Sequence, residues 1–161
     1  MRNRSHSTRS LRWFWGLSFS LLTLFSVGLV YSSNTLVLPF SAAFDGHLVD
    51  VDFEGFGADI LVAGNVTVAS FGSGTFESEG HLNFITETGT GTVTMTLEDG
   101  STLTIGLIGK ATGASTFDGT YRITGGTGQF AGVTGGIGSL VGTFNLRNLT
   151  FQGSAQGQIR F

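Results

Sequence analysis

From residue 44 to the C-terminus the chain alternates between apolar and polar residues. Val49, Val51 and Phe53 alternate with Asp50, Asp52 and Glu54. Phe76, Leu82 and Phe84 alternate with Glu77, Glu79, His81 and Asn83. Leu140, Phe144 and Leu146 alternate with Val141, Thr143, Asn145 and Arg147. The last run sets Phe151, Ala155, Ile159 and Phe161 against Gln152, Ser154, Gln156, Gln158 and Arg160. A period of two marks strands with one face buried. One hairpin can be set in register. A two-residue turn at Asp99-Gly100 would oppose Leu97 to Thr102 and mix an apolar face with a polar one. A three-residue loop, Glu98-Asp99-Gly100, instead pairs Leu97 with Ser101, Met95 with Leu103 and Val93 with Ile105. It also puts Gly100 at the left-handed position such a loop needs. Thr92, Thr94, Thr96, Thr102 and Thr104 then share the opposite face.

Roughly eight strands of this kind predict an all-β fold, either a sandwich or a closed antiparallel barrel. Closure is favoured because the last run ends with no charge before Arg160, and an open edge of that kind invites aggregation. Gly106, Gly142, Gly153 and Gly157 fall inside strand runs, where bends and close approaches place glycine. All but two of the 26 glycines lie beyond residue 43, which disfavours any helix there.

The first 43 residues have a different character. Arg2, Arg4, Arg9 and Arg12 precede an uncharged run, residues 13–30, and small residues follow. This is the layout of an export signal, with cleavage sites after Ser32, Ser33 or Ala43. The run is also long enough to span a bilayer, so an uncleaved anchor is the alternative. The division expected is 1–43 as leader or anchor with a short linker and 44–161 as barrel, with the single proline, Pro39, outside the barrel. Four basic residues and all 11 acidic ones lie in 44–161, a net charge of −7. That balance argues against nucleic acid or anionic lipid as a partner, since phosphate contacts need clustered Lys and Arg. A membrane would be met only through the N-terminal segment. Cysteine is absent, which rules out disulfides, thiolate zinc sites and cysteine nucleophiles.

The run Gly126-Thr127-Gly128-Gln129-Phe130-Ala131 matches G-x-G-x-x-A after a strand. A dinucleotide site would need a helix next, with its N-terminal amides on the pyrophosphate, and an acidic residue about 20 positions later. The sequel is Gly132-Val133-Thr134-Gly135-Gly136, and no Asp or Glu follows Asp118. No cofactor is therefore expected. Gly125, Gly126, Gly128, Phe130, Gly132 and Gly135 are read as a structural connection between strands. The longer stretch from Phe117 to Gly135, with Gly125-Gly126-Thr127-Gly128-Gln129-Phe130-Ala131-Gly132-Val133-Thr134-Gly135 at its centre, resembles a signature of the allene oxide cyclase/dirigent-like barrel superfamily. It is most similar to the exported bacterial members. The resemblance implies an eight-stranded antiparallel barrel, often oligomeric, with an apolar cavity. Some plant members are cyclases and others guide the coupling of phenolic radicals. No catalytic motif of the plant enzymes aligns elsewhere in this chain.

Other candidate chemistry comes from charged runs. Glu77, Glu79, His81 and Asn83 share one face of one strand, and an inward face would make them an acid–base or metal set. The competing reading is a solvated outer wall. Asp50, Asp52 and Glu54, with Asp59 nearby, offer oxygens for calcium but lack a loop glycine, so a solvated acidic stripe competes there too. The threonine face could meet ice or glycan. Asn65-Val66-Thr67 and Asn148-Leu149-Thr150 are formal glycosylation triplets. The leading expectation is an exported, non-catalytic barrel of the cell envelope or exterior that holds a small apolar ligand. The alternatives are a cyclase or isomerase shaping an apolar substrate, and a surface-contact protein using the threonines.

Overall fold

The computed structural model describes residues 35–161, so the leader or anchor segment lies almost wholly outside the described residues. Eight strands follow in order: β1 (Val37–Glu54), β2 (Gly57–Val68), β3 (Gly72–Asn83), β4 (Thr88–Leu97), β5 (Thr102–Gly113), β6 (Thr116–Gly126), β7 (Gly135–Asn145) and β8 (Thr150–Arg160). Each pairs antiparallel with the next, and β8 returns to β1 to close the barrel. The sandwich alternative is excluded. Closure leaves no free edge, and the seam from Val37–Arg160 to His47–Thr150 is sealed beyond its end by reciprocal backbone bonds between Leu36 and Phe161.

The hairpin register is the one the apolar pattern demands. Val93 faces Ile105 and Met95 faces Leu103. The Leu97 N–H donates to the Ser101 carbonyl, and Gly100 sits at φ +83° in the turn. Val93, Met95, Leu97, Leu103 and Ile105 are buried together, while Thr92, Thr94 and Thr96 are exposed.

Three expectations need correction. The first strand begins at Val37, so Phe40 and Ala42 join the core and Pro39 lies within β1. Pro39 pairs only with β8, because pairing with β2 starts at Ala42; its missing N–H therefore breaks no second ladder. In β1 the register shifts between Leu48 and Asp50. That bulge turns Leu48 inward and leaves Val49 exposed, while Val51 and Phe53 return to the inner face. Finally, Phe84 and Leu146 extend an alternating pattern past the strands that carry it. β3 stops at Asn83 and β7 at Asn145, and both side chains are exposed in turns.

The two ends of the barrel differ. At one end lie both described termini and the turns 69–71, 98–101 and 127–134. This end is filled. Phe130 is 0% exposed, in the 3-10 turn Gly128–Phe130, and its ring lies 4.8 Å from that of Phe71. At the other end lie the turns 55–56, 84–87, 114–115 and 146–149, and here the interior opens.

Candidate functional site: an apolar cavity open at one end

The inward positions of β4 read Gly89, Gly91, Val93, Met95 and Leu97, and those of β5 read Leu103, Ile105, Leu107, Gly109 and Ala111. Large side chains therefore meet at the closed end and glycines at the open end. Ser78 and Gly80 continue the small wall on β3. Among the described residues nothing lies over Gly109 within contact range except the Asp118 carbonyl oxygen. Strands of nearly constant spacing with no side chains to fill the interior leave a void. Its volume is about 830 Å³, and Phe44, Ile60, Phe76, Leu107, Phe117 and Leu140 form much of its wall.

Glycines on the opposite wall work differently. A Cβ at Gly142 would collide with the Phe117 ring and one at Gly153 with the Phe44 ring. A Cβ at Gly157 would sit 2.6 Å from the Tyr121 hydroxyl, and Gly138 lies under the same ring. These glycines are beds for aromatic rings reaching in from neighbouring strands, so the space they free is filled. Tyr121 is buried, its ring centroid 5.7 Å from that of Phe40. Among the described residues its hydroxyl has no hydrogen-bond partner, and burial pushes its pKa up to about 12. The phenol is thus held neutral. The alternating pattern around Tyr121 predicts an inward ring, but its isolation from polar partners depends on β7 and β8 and is not visible in β6 alone.

The carboxylates and imidazole singled out in the sequence point away from the cavity. Glu77, Glu79 and His81 are exposed on the outer wall of β3. His81 Nδ1 lies 2.7 Å from Asp59 Oδ1 across the β2–β3 ladder, a solvent-exposed pair. Pairs of this kind contribute about 0.2–1 kcal/mol. Asn83 lines the cavity mouth and also accepts from the Ile85 and Thr86 N–H groups, which holds the 84–87 turn. Asp50, Asp52, Glu54 and Asp59 are all exposed, and the Asp50 carboxylate accepts from the Val51 N–H beside the bulge. Among the described residues no group of three or more His, Cys, Asp or Glu side chains could hold a metal ion. The threonine face borders a shallow outer depression that includes Thr90, Thr92, Thr120, Arg122 and Ile137.

The glycine motif builds the floor of the closed end. β6 ends at Gly126, and the 3-10 turn drops the Phe130 side chain into the core. Gly128 has φ +60°, and a Cβ there would strike the Ser101 side chain. The contact is close because the next residue is bonded to that side chain: the Gln129 N–H donates to Ser101 Oγ at 2.9 Å. Ser101 Oγ donates in turn to Asp99 Oδ2, which also accepts from Gln129 Nε2 at 2.7 Å. The Gln129 side chain, followed by Ser101, holds the Asp99 carboxyl below its ordinary value. These bonds tie the β6–β7 connection to the β4–β5 turn. No family model and no curated protein matches the chain.

Proposed function

We propose that the protein is an exported, non-catalytic barrel that carries one small apolar molecule in its interior. The observation that carries this reading is the cavity of about 830 Å³, walled by aliphatic and aromatic side chains and open at one end. Its size and lining are those of a small-molecule site, with binding driven by apolar area removed from water. The basic leader and the apolar run after it support export. The resemblance of residues 117–135 to the allene oxide cyclase/dirigent-like superfamily fits a ligand-holding barrel. A cyclase or isomerase would have to work without Glu77, Glu79 and His81, which lie on the outer wall. Its polar groups would be Tyr121, held neutral, with Ser78, Asn83, Glu87 and Lys110 along the cavity wall and mouth.

Diphenylhexatriene, a hydrocarbon probe that brightens in apolar surroundings, tests the reading. The protein should bind it at one site per barrel. Leu107→Trp, which puts an indole into the cavity, should weaken binding by about tenfold or more while the fold persists, a loss equivalent to about 1.4 kcal/mol. Equal binding by Leu107→Trp would remove the cavity from consideration.

A further inference from the structure

The most exposed large apolar side chains of the barrel gather at its open end. Phe53 is 74% exposed, Phe56 75%, Ile85 69% and Leu146 72%, and Phe84 and Leu149 stand beside them. They come from β1 and from three of the four turns around the mouth. The rings of Phe53 and Phe84 lie 6.3 Å apart. At the closed end the turn aromatics fold inward instead, Phe130 buried and Phe71 packed on it. An apolar ring of this extent, held out in water, marks an interaction surface.

We infer that the open end docks on a lipid surface of no net charge, from which the ligand loads. Two observations select this occupant. The first is charge. The four turns carry only Glu87 and Arg147, one of each sign, whereas Asp50, Asp52 and Glu54 stand on the outer wall of β1 next to the ring. A zwitterionic bilayer suits that balance, and an anionic one would repel the acidic strand. The second is continuity. Phe53, Phe84, Leu146 and Leu149 belong both to the exposed ring and to the cavity wall. One unbroken apolar path thus runs from the tips of the turns to the interior. A protein partner seated on the ring would close that path, whereas a lipid surface feeds it. Phenylalanine, leucine and isoleucine are side chains that enter the acyl boundary, and such binding grows with the apolar area inserted. The ligand is then a membrane-partitioned apolar molecule. This loading step rests on the proposed function; the docking itself does not.

The absence of cysteine allows single labels to be placed cleanly. A polarity-sensitive nitrobenzoxadiazole label is attached at Phe56→Cys on the ring, and separately at Ala131→Cys on the closed end. With phosphatidylcholine vesicles, the label at 56 should brighten several-fold, shift to the blue and be quenched by a lipid-borne quencher. The label at 131 should not respond. Adding Ile85→Asp to the first variant should remove most of the response. Equal responses at 56 and 131, or none at 56, would overturn the docking. A response at 56 that rises with protein concentration without lipid would identify a second copy as the occupant and overturn it too. Phe56 and Ile85 do not line the cavity, so their variants should keep the wild-type affinity for diphenylhexatriene. Lipid insertion without probe binding would overturn the proposed function and leave the docking standing. For loading, the rate of probe transfer to acceptor vesicles should rise with vesicle concentration; a rate independent of it would overturn that step.

Discussion

The closed and open ends of this barrel are made from the same strands and the same kinds of residue, yet they are opposites. Both ends are rich in phenylalanine. At the closed end Phe71 and Phe130 turn inward over Leu97, Leu103 and Ile123. At the open end Phe53, Phe56 and Phe84 stand exposed around the cavity mouth. The difference is made by two devices. One is the gradient of side-chain size along the inner faces of β4 and β5. The other is the length and bonding of the turns. The 127–134 connection is long enough to fold a side chain back into the core, and Ser101, Asp99 and Gln129 hold it there. The 55–56 and 114–115 turns are too short to reach inward. Burial of aromatic area stabilises one end, while the other keeps apolar area unburied.

The most direct way to break this contrast is to remove the floor. Phe130→Ala should cost about 3–5 kcal/mol, the usual range for a buried phenylalanine, as measured by denaturant unfolding. Gly128→Ala is the next largest: a left-handed backbone and a collision with Ser101 should together cost about 1–3 kcal/mol. Titration sharpens the same point. The folded value of the Asp99 carboxyl lies below the unfolded one, so its bonds to Gln129 and Ser101 stabilise the ionised form. That contribution is complete above the ordinary value of 3.8 and fades as the pH falls through the lower folded value. The protection of the Gln129 backbone amide, its exchange rate relative to that of an unstructured chain at the same pH, should therefore fall in acid, whereas amides of the 84–87 turn gain no such sensitivity from Asp99. The smallest effect belongs to the open end. Phe56→Ser should change unfolding stability by no more than about 0.5 kcal/mol, because the side chain is already in water. A loss comparable to that of Phe130→Ala would show that the ring is covered within the folded chain.

Much of the barrel is legible in the sequence. The alternation in 140–144 and 151–161 places Leu140, Ala155 and Ile159 in the core, where they are found. The Glu98-Asp99-Gly100 loop follows from face matching alone. The edges of elements are less legible. Alternation continued through Phe84 and Leu146 although pairing had ended, since a turn residue can be apolar by function rather than by burial. The start of β1 was obscured because residues 37–43 follow an apolar leader and include a proline. The bulge at Val49 arises from pairing with β2 and leaves no mark in β1 itself. The candidate site was nearly readable: Gly89 and Gly91 followed by Val93, Met95 and Leu97 at every second position is a size gradient. What it lacked was the knowledge that Gly80 and Gly109 stand beside those glycines.

By itself, then, the sequence determined most of the strands and most of their inward faces, and it argued against a dinucleotide helix after Gly126-Thr127-Gly128. Periodicity and turn chemistry are local, and local forces suffice to set them. Only the tertiary structure decided which glycines would be covered and which left bare. Gly142, Gly153 and Gly157 lie under rings supplied by other strands, while at Gly109, among the described residues, no side chain comes within contact range, only the Asp118 carbonyl oxygen. A glycine reads identically in both settings. Whether it makes room for a neighbour or for a ligand depends on what the opposing strands deliver, and closure of the barrel brings those strands together.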